Sequence, residues 1–449
     1  MSKSRDIVLK ILNGLDFVTK DFENNKKIIE DNIKNCKNED DIRLIKEITY
    51  GVVKNITIID QIISDYSKIK LNKLHRIVLN ALRMGIYQII YLDRVPEYSI
   101  LNDSVELVKK YTHKGNANYV NAILRNISRD KEKIIKRYND LDFDINTLSL
   151  VYSFPQFLVE MWVNDYGIDF TRSLLDSLNS KAKLNIRVNI TKVSRDDLIK
   201  RLETYGYIVE KTRYSNYGLI VKNPEKLFQT EEFIDGYFTV QDESSMLVAE
   251  VADIEGNSFV LDVCSAPGGK ATHIAEYIGD NGIVLARDKS NSKIQLIKEN
   301  VKRLGLKSVK SEIFDATTLD NSLIDKVDCC LVDAPCSGLG LIRRKPDIKW
   351  NRTLDDIDEL ILIQEKILNT CSSYVKVGGK LIYSTCTINN AENISQIEKF
   401  LKHHKNFALE PFCDRFDKTF ETAKKGYVQL FPNVHGTDGF FIASLKRLF

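Results

Sequence analysis

The sequence predicts a multi-domain chain: an all-α front bundle, a small α/β middle module and a Rossmann-like α/β domain built for a nucleotide-type ligand. Three observations carry this. Residues 1–140 hold a single proline, Pro96, and repeat apolar side chains at helical spacing. Residues 141–235 mix helical spacing with short alternating runs. Residues 259–263 are apolar except for Asp262, then turn through Pro267, Gly268 and Gly269 into helical spacing over 271–278. Strand, glycine turn and helix make the first unit of a nucleotide-binding fold, and so apolar a strand belongs inside a parallel sheet.

In the front part, Ile7, Val8, Ile11, Leu12 and Leu15 mark one apolar face. Segments 42–63, 74–92, one beginning near Val105, and 119–127 continue the bundle, with Pro96 between helices. The stretch Gly115-Asn-Ala-Asn-Tyr-Val-Asn-Ala-Ile-Leu-Arg125-Asn resembles the end of the NusB antitermination factor fold. That resemblance covers most of residues 5–130 and implies an RNA-binding domain; a bundle that serves only as scaffold is the alternative.

The middle module reads as a helix over 157–178, a half-buried strand over 184–188 and a helix over 195–203 capped by Ser194 and closed by Gly206. Two more strands follow, 208–213 and 219–221. This suits an RRM-like or ferredoxin-like module, although the paired aromatics of a true RNA-recognition motif are missing, which argues against base stacking here.

The third part, 236–449, continues with strands over 282–287, 311–314, 327–332 and 380–384, the last following Gly378 and Gly379. A closing antiparallel pair, 428–431 and 440–444, is joined through a loop ending in His435-Gly-Thr-Asp-Gly439. Five parallel strands with an antiparallel edge hairpin is the layout of the class I methyltransferases.

Which ligand does the glycine turn serve? A phosphate loop requires G-x-x-x-x-G-K-[ST], but Cys264 stands at the first glycine position and Ala271 follows Lys270. The dinucleotide pattern G-x-G-x-x-G is absent as well. Asp288, Asp315 and Asp333 close successive strands along one crevice. One such acid alone would read as a helix cap. Three suit an adenosine-type cofactor without a pyrophosphate, and S-adenosylmethionine fits that description.

Two cysteines stand at the carboxyl ends of adjacent strands: Cys336 after Asp333-Ala-Pro, and Cys386 after Tyr383-Ser-Thr. Cys329, Cys330 and Cys371 read as small buried hydrophobes. A helix opening over 387–390 would lower the Cys386 thiol pKa. A thiolate beside a methyl donor makes sense for carbon methylation. C5 of a pyrimidine lacks a lone pair, and adding sulfur at C6 turns C5 into a nucleophile. Asp333 is placed to act at N3. The residues leave open which cysteine attacks.

Together, Cys264-Ser-Ala-Pro-Gly-Gly-Lys270, Asp333-Ala-Pro-Cys-Ser-Gly338, Ser384-Thr-Cys-Thr387 and His435-Gly-Thr-Asp-Gly-Phe-Phe441 resemble the RNA 5-methylcytosine methyltransferases of the Sun family. With the NusB-like front, the whole chain is similar to the branch of that family acting on bacterial 16S rRNA. The resemblance implies Cys386 as nucleophile and Cys336 as the residue that assists product release. It implies cofactor contacts at Cys264, Ser265, Ala266, Pro267, Gly268, Gly269, Lys270, Asp288, Asp315 and Asp333. It also favours RNA phosphate contacts for Arg343 and Arg344 in the basic run before Trp350, a tryptophan suited to packing or stacking.

Composition sets outer bounds. The chain has 449 residues, 43% hydrophobic and 28% charged, so two or three domains of ordinary solubility are expected. A net charge of +3 means any basic surface is local. No apolar run reaches the ~20 residues of a membrane span, and Met1-Ser-Lys-Ser-Arg-Asp is no signal peptide. Eight cysteines without C-x-x-C argue against disulfides and structural zinc. The expectation is a cytoplasmic monomer acting on 16S rRNA, without metal or membrane. Cytosine methylation of tRNA or DNA, the latter with Cys336 attacking, and a non-catalytic RNA-binding assembly factor are the competing readings.

Overall fold

A computed structural model describes residues 3–449 apart from 16–21, 35, 37, 94, 413–415 and 417, so Met1 and Ser2 of the sequence start lie outside the described residues. The chain forms two units, residues 1–179 with 345–352, and residues 180–344 with 353–449.

Apolar periodicity makes the first unit helical among its described residues: α1 (Lys3–Gly14), α2 (Phe22–Ile33), α3 (Glu39–Lys54), α4 (Ile56–Tyr66), α5 (Arg76–Tyr91), α6 (Glu97–Tyr111), α7 (Lys114–Arg129), α8 (Lys131–Asn139), α9 (Ile145–Tyr152), α10 (Gln156–Tyr166) and α11 (Ile168–Asn179). Val8, Ile11, Ile45, Ile59, Leu82 and Leu124 are fully or almost fully buried in its core. The periodic segment 42–63 is two helices, because the chain leaves α-helical geometry at Asn55, whose side chain donates to the Gly51 carbonyl at 2.9 Å. The segment 157–178 is likewise two helices, parted at Gly167. The helical unit runs on to Asn179, past residue 140, and takes in 345–352, where the Trp350 indole N–H donates to the Val53 carbonyl at 3.0 Å. Trp350 is partly buried and packs against this core.

The second unit begins with β1 (Leu184–Val188), α12 (Arg195–Thr204), β2 (Val209–Lys211), β3 (Gly218–Val221), α13 (Glu231–Ile234) and β4 (Phe238–Val240). Its antiparallel sheet has the order β2-β3-β1-β4, with Ile186 opposite Leu219 and Arg187 opposite Thr239. Ser194 caps α12 as expected, its hydroxyl accepting from the Asp197 N–H at 3.2 Å.

Next come α14 (Glu243–Ala252), β5 (Phe259–Asp262), α15 (Gly269–Tyr277), β6 (Ile283–Asp288), α16 (Asn291–Leu304), β7 (Val309–Ile313), β8 (Val327–Asp333), α17 (Leu354–Ser372), β9 (Val375–Thr385), α18 (Ile394–His403), β10 (Phe407–Leu409), β11 (Tyr427–Leu430) and β12 (Phe440–Arg447). Strands β7-β6-β5-β8-β9 are parallel, and β12 is antiparallel to β9 and pairs along its other edge with β10 and β11. The expected layout holds, with β10 added at the edge. Gly378 and Gly379 lie inside β9, beside a register shift between Val327 and Cys329, instead of preceding the strand. The order of strands switches sides between β5 and β8, with β6 and β7 on one side and β8 and β9 on the other, so the carboxyl ends of β5 and β8 open a crevice. Among the described residues no helix is long and apolar enough to cross a membrane.

Candidate active site

The turn from β5 into α15 is built by Gly268, whose φ of +94° only glycine adopts without strain, and whose added Cβ would meet the Ile297 side chain at 3.3 Å. Ala266 N–H donates to Asp288 Oδ2 at 3.3 Å, tying this turn to the end of β6. Asp288 is buried, with Lys293 at 3.5 Å. The preceding Arg287 fits a strand interior because it is ion-paired to Glu312 and Asp320 and lies over the Phe314 ring. Asp315 stands beyond β7, and one carboxylate oxygen accepts from the Thr317 N–H and hydroxyl at 2.8 and 2.7 Å.

At the end of β8, Asp333 accepts from the Lys270 ammonium at 2.6 Å and from the Ser384 hydroxyl at 2.8 Å. Burial works against the Lys270 ammonium, but the Asp333 carboxylate outweighs it and holds the lysine above its ordinary range. Lys270 thus links the glycine turn to the end of β8. Asp262, at the end of β5, was visible in the sequence only as a polar interruption. It is fully buried, and among the described residues neither of its oxygens nor the Ser265 hydroxyl finds a hydrogen-bond partner. Burial, then the Asp333 charge, push its carboxyl up to about 7, against the nearby Ser265 hydroxyl and Cys264 N–H, which act the other way without reaching hydrogen-bond geometry. Unused acceptors and a hydroxyl lining a glycine cradle fit a small ligand carrying donors and positive charge, as an adenosine-type sulfonium cofactor does.

The two cysteines meet. Asp333 and Ser384 are register partners, and past them Cys336 Sγ and Cys386 Sγ lie 3.3 Å apart. The contact to Cys386, then burial, pushes the Cys336 thiol well above its usual range. Gly340 lets three loops converge: its N–H donates to the Cys386 carbonyl and its carbonyl accepts from Gly439 N–H, both at 3.0 Å. A Cβ there would sit 1.9 Å from the Gly439 oxygen. The expected helix over 387–390 is absent; α18 opens at Ile394, so no helix dipole acts on Cys386 from that position. Asn389 instead accepts from the Ala391 N–H at 3.1 Å and Asn393 donates to the Thr387 carbonyl at 3.1 Å, local bonds that compete with helix formation. Cys329 and Cys330 are buried in β8, and burial raises both thiols, as inert core cysteines require.

Arg343 and Arg344 are not free for phosphates. Arg343 is buried and bound to Asp438 at 3.1 Å, while Arg344 pairs with Asp438 and, at 2.7 Å, with Asp242. The expected RNA contacts do not fit this geometry; the two guanidiniums fasten the Cys336 loop to the loop that ends at Gly439. Arg187 of β1 is a further residue that the sequence did not mark. Fully buried, it donates to the Gly269 carbonyl at 2.5 Å, to the Thr272 hydroxyl at 3.0 Å and in a fork to Glu276 at 2.8 and 3.0 Å. The antiparallel module therefore clamps the first turns of α15. Among the described residues no cluster of His, Cys, Asp or Glu could hold a metal ion.

Comparison with known proteins agrees with this architecture. Residues 249–446 match the family model "16S rRNA methyltransferase RsmB/F", residues 2–129 the NusB family, and residues 154–227 the ferredoxin-like domain of RsmF/B-like methyltransferases. The chain is 34% identical to the probable ribosomal RNA small subunit methyltransferase B of Bacillus subtilis over 99% of this chain and 98% of that protein. It is 35% identical to the corresponding protein of Synechocystis over 91% of each. Among solved structures, PH0851 superposes with a TM-score of 0.79 at 26% identity, covering 100% of this chain and 99% of that one. NSun6 from Pyrococcus horikoshii, solved with the S-adenosylmethionine analogue SFG, gives a TM-score of 0.59 at 25% identity over 66% of this chain and 99% of its own. A NusB-like helical domain, a ferredoxin-like module and a methyltransferase domain, in this order and with these relatives, place the chain in the ribosomal RNA small subunit methyltransferase B family.

Proposed function

We propose that this protein methylates C5 of a specific cytosine in 16S rRNA, with S-adenosylmethionine as methyl donor and Cys386 as nucleophile. The observation that carries the reading is the thiol pair, 3.3 Å apart at the ends of adjacent strands. A single positioned base would serve transfer to nitrogen or oxygen; carbon methylation needs a nucleophile that adds and must later leave. The bound cofactor supplies an electrophilic methyl group. The residues of the glycine turn, Cys264 to Lys270, would hold it together with Asp288 and Asp333, and Asp315 at the third strand end.

Cys386 forms the Sγ–C6 bond as a thiolate, and the electron pair of the C5–C6 double bond becomes available at C5. Asp333 is assigned to N3: as the carboxylic acid it gives its proton to the ring nitrogen as C6 is attacked, which offsets the charge on the ring, and the carboxylate left behind is held by Lys270 and Ser384. After C5 is methylated, its proton passes to solvent water, the C5–H electron pair re-forms the C5–C6 double bond, the Sγ–C6 bond breaks and Cys386 leaves as the thiolate. Cys336, whose thiol is held well above its usual range, is assigned to this release step.

Mapping 5-methylcytosine in 16S rRNA from cells with and without the gene for this protein tests the reading. One cytosine should lose its methyl group in the deletion and regain it with the wild-type chain but not with Cys386→Ala. Unchanged 16S rRNA, with a mark lost from tRNA or DNA, would contradict it.

A further inference from the structure

Glu392 has no place in the chemistry above, yet its carboxylate joins the two loops that carry the sulfurs. It is fully buried and, among the described residues, has no ion-pair partner. A buried carboxylate without a cation persists only if neutral donors satisfy it. Here they do. The Ser337 backbone N–H donates at 2.7 Å and the Ser337 hydroxyl at 2.5 Å. The side-chain amides of Gln364 and Asn389 donate at 3.0 Å each. Ser337 adjoins Cys336, and its hydroxyl also meets that of Thr387, the neighbour of Cys386, at 2.8 Å. The Glu392 carbonyl in turn accepts from the Tyr383 hydroxyl of β9 at 2.7 Å. Gln364 completes the cage by donating to the Pro335 carbonyl at 3.0 Å.

We propose that Glu392 is a positioning residue that sets the separation of Cys336 and Cys386 by holding both loops on one carboxylate. The proposal rests on the reading that both thiols serve the same RNA base. The carboxylate is acceptor-only, and its environment is a set of donors. A glutamine there would turn an N–H group toward at least one of those donors, leave it unpaired and let the loops separate.

Two readouts on the full-length protein separate this from a general structural role. The first needs neither RNA nor cofactor: the reduced protein is treated with diamide, and the Cys336–Cys386 disulfide is followed by peptide mass. The two thiols lose two hydrogens to diamide, which becomes its hydrazine. Glu392→Gln should slow this closure about ten-fold, the loss of one charge-assisted hydrogen bond. Glu392→Asp should lie between wild type and Glu392→Gln, and Cys336→Ser should form no such bond. The second readout is methylation, where Glu392→Gln should lower kcat about ten-fold or more while KM for RNA and Kd for S-adenosylmethionine hold within about two-fold. Ser337→Ala, which keeps the backbone N–H, should move both readouts several-fold in the same direction and carries the test if Glu392→Gln does not fold. Disulfide closure at the wild-type rate in folded Glu392→Gln and Ser337→Ala overturns the proposal. Slowed closure in a protein whose wild type methylates no RNA upholds the positioning and overturns only the proposed reaction.

Discussion

Burial of Asp262 at the end of β5, with the charge of Asp333 adding to it, pushes its carboxyl up to about 7. An unfolded aspartate titrates near 4. Between about pH 4 and 7 the folded chain therefore binds more protons at this site than the unfolded chain, and stability falls as pH rises through that window. Asp262→Asn does not titrate. Urea unfolding of the cofactor-free protein should show it more stable than wild type at pH 8 by on the order of 2 kcal/mol, with the difference gone below about pH 4. Its affinity for S-adenosylmethionine should fall, because the unused acceptors are those available to a ligand. Equal stability of the two proteins across the whole range would show that the carboxylate is satisfied in the folded chain.

At the scale of elements, Arg187 joins β1 to α15. Its fork on Glu276 and its bonds to Gly269 and Thr272 tie the ferredoxin-like module to the turn proposed to hold the cofactor. Arg187→Met leaves Glu276 buried and unpaired and should cost about 3–5 kcal/mol, whereas adding Glu276→Leu should restore most of that. Lysine should not substitute, since one ammonium cannot reproduce the fork. Unfolding in urea and cofactor titration check both statements. The sequence divides the chain at 235/236, because nothing local links Arg187 to a helix some eighty residues on. What was legible was local: the glycine turn, the strand-end acids and the paired cysteines each announce themselves within a few residues. Asp438 and Asp242, which occupy Arg343 and Arg344, lie far along the chain, so a basic run looked like an RNA surface. The helix expected after Cys386 failed for the opposite reason, because Asn389 and Asn393 bond locally against it.

At the scale of the whole molecule, the segment after the Cys336 loop belongs to the helical unit. Lys349 is fully buried there, donating to the Lys54 carbonyl at 2.8 Å and to Asn179 Oδ1 at 3.3 Å, with its ammonium 4.0 Å from the Phe154 ring centroid. Burial drives the Lys349 ammonium well below the ordinary lysine range, and the Lys54 charge adds to the effect. Deleting residues 1–140 removes the Val53 and Lys54 carbonyls that seat Trp350 and Lys349. The truncated protein should still bind S-adenosylmethionine, be cut by trypsin within 345–352 much faster than the full chain, and methylate 16S rRNA poorly. Wild-type resistance of that segment to trypsin would mean that it is held by other contacts.

The covalent step tests the central claim most directly. Purified wild type, Cys336→Ala, Cys386→Ala and the double variant are incubated with 16S rRNA and S-adenosylmethionine, then denatured and resolved on a gel. Cys336→Ala should accumulate a denaturation-resistant protein–RNA band that requires both cofactor and substrate, because release is impaired after attack by Cys386. The band should be absent from Cys386→Ala and from the double variant. A band from Cys386→Ala and none from Cys336→Ala would contradict the account, by making Cys336 the nucleophile.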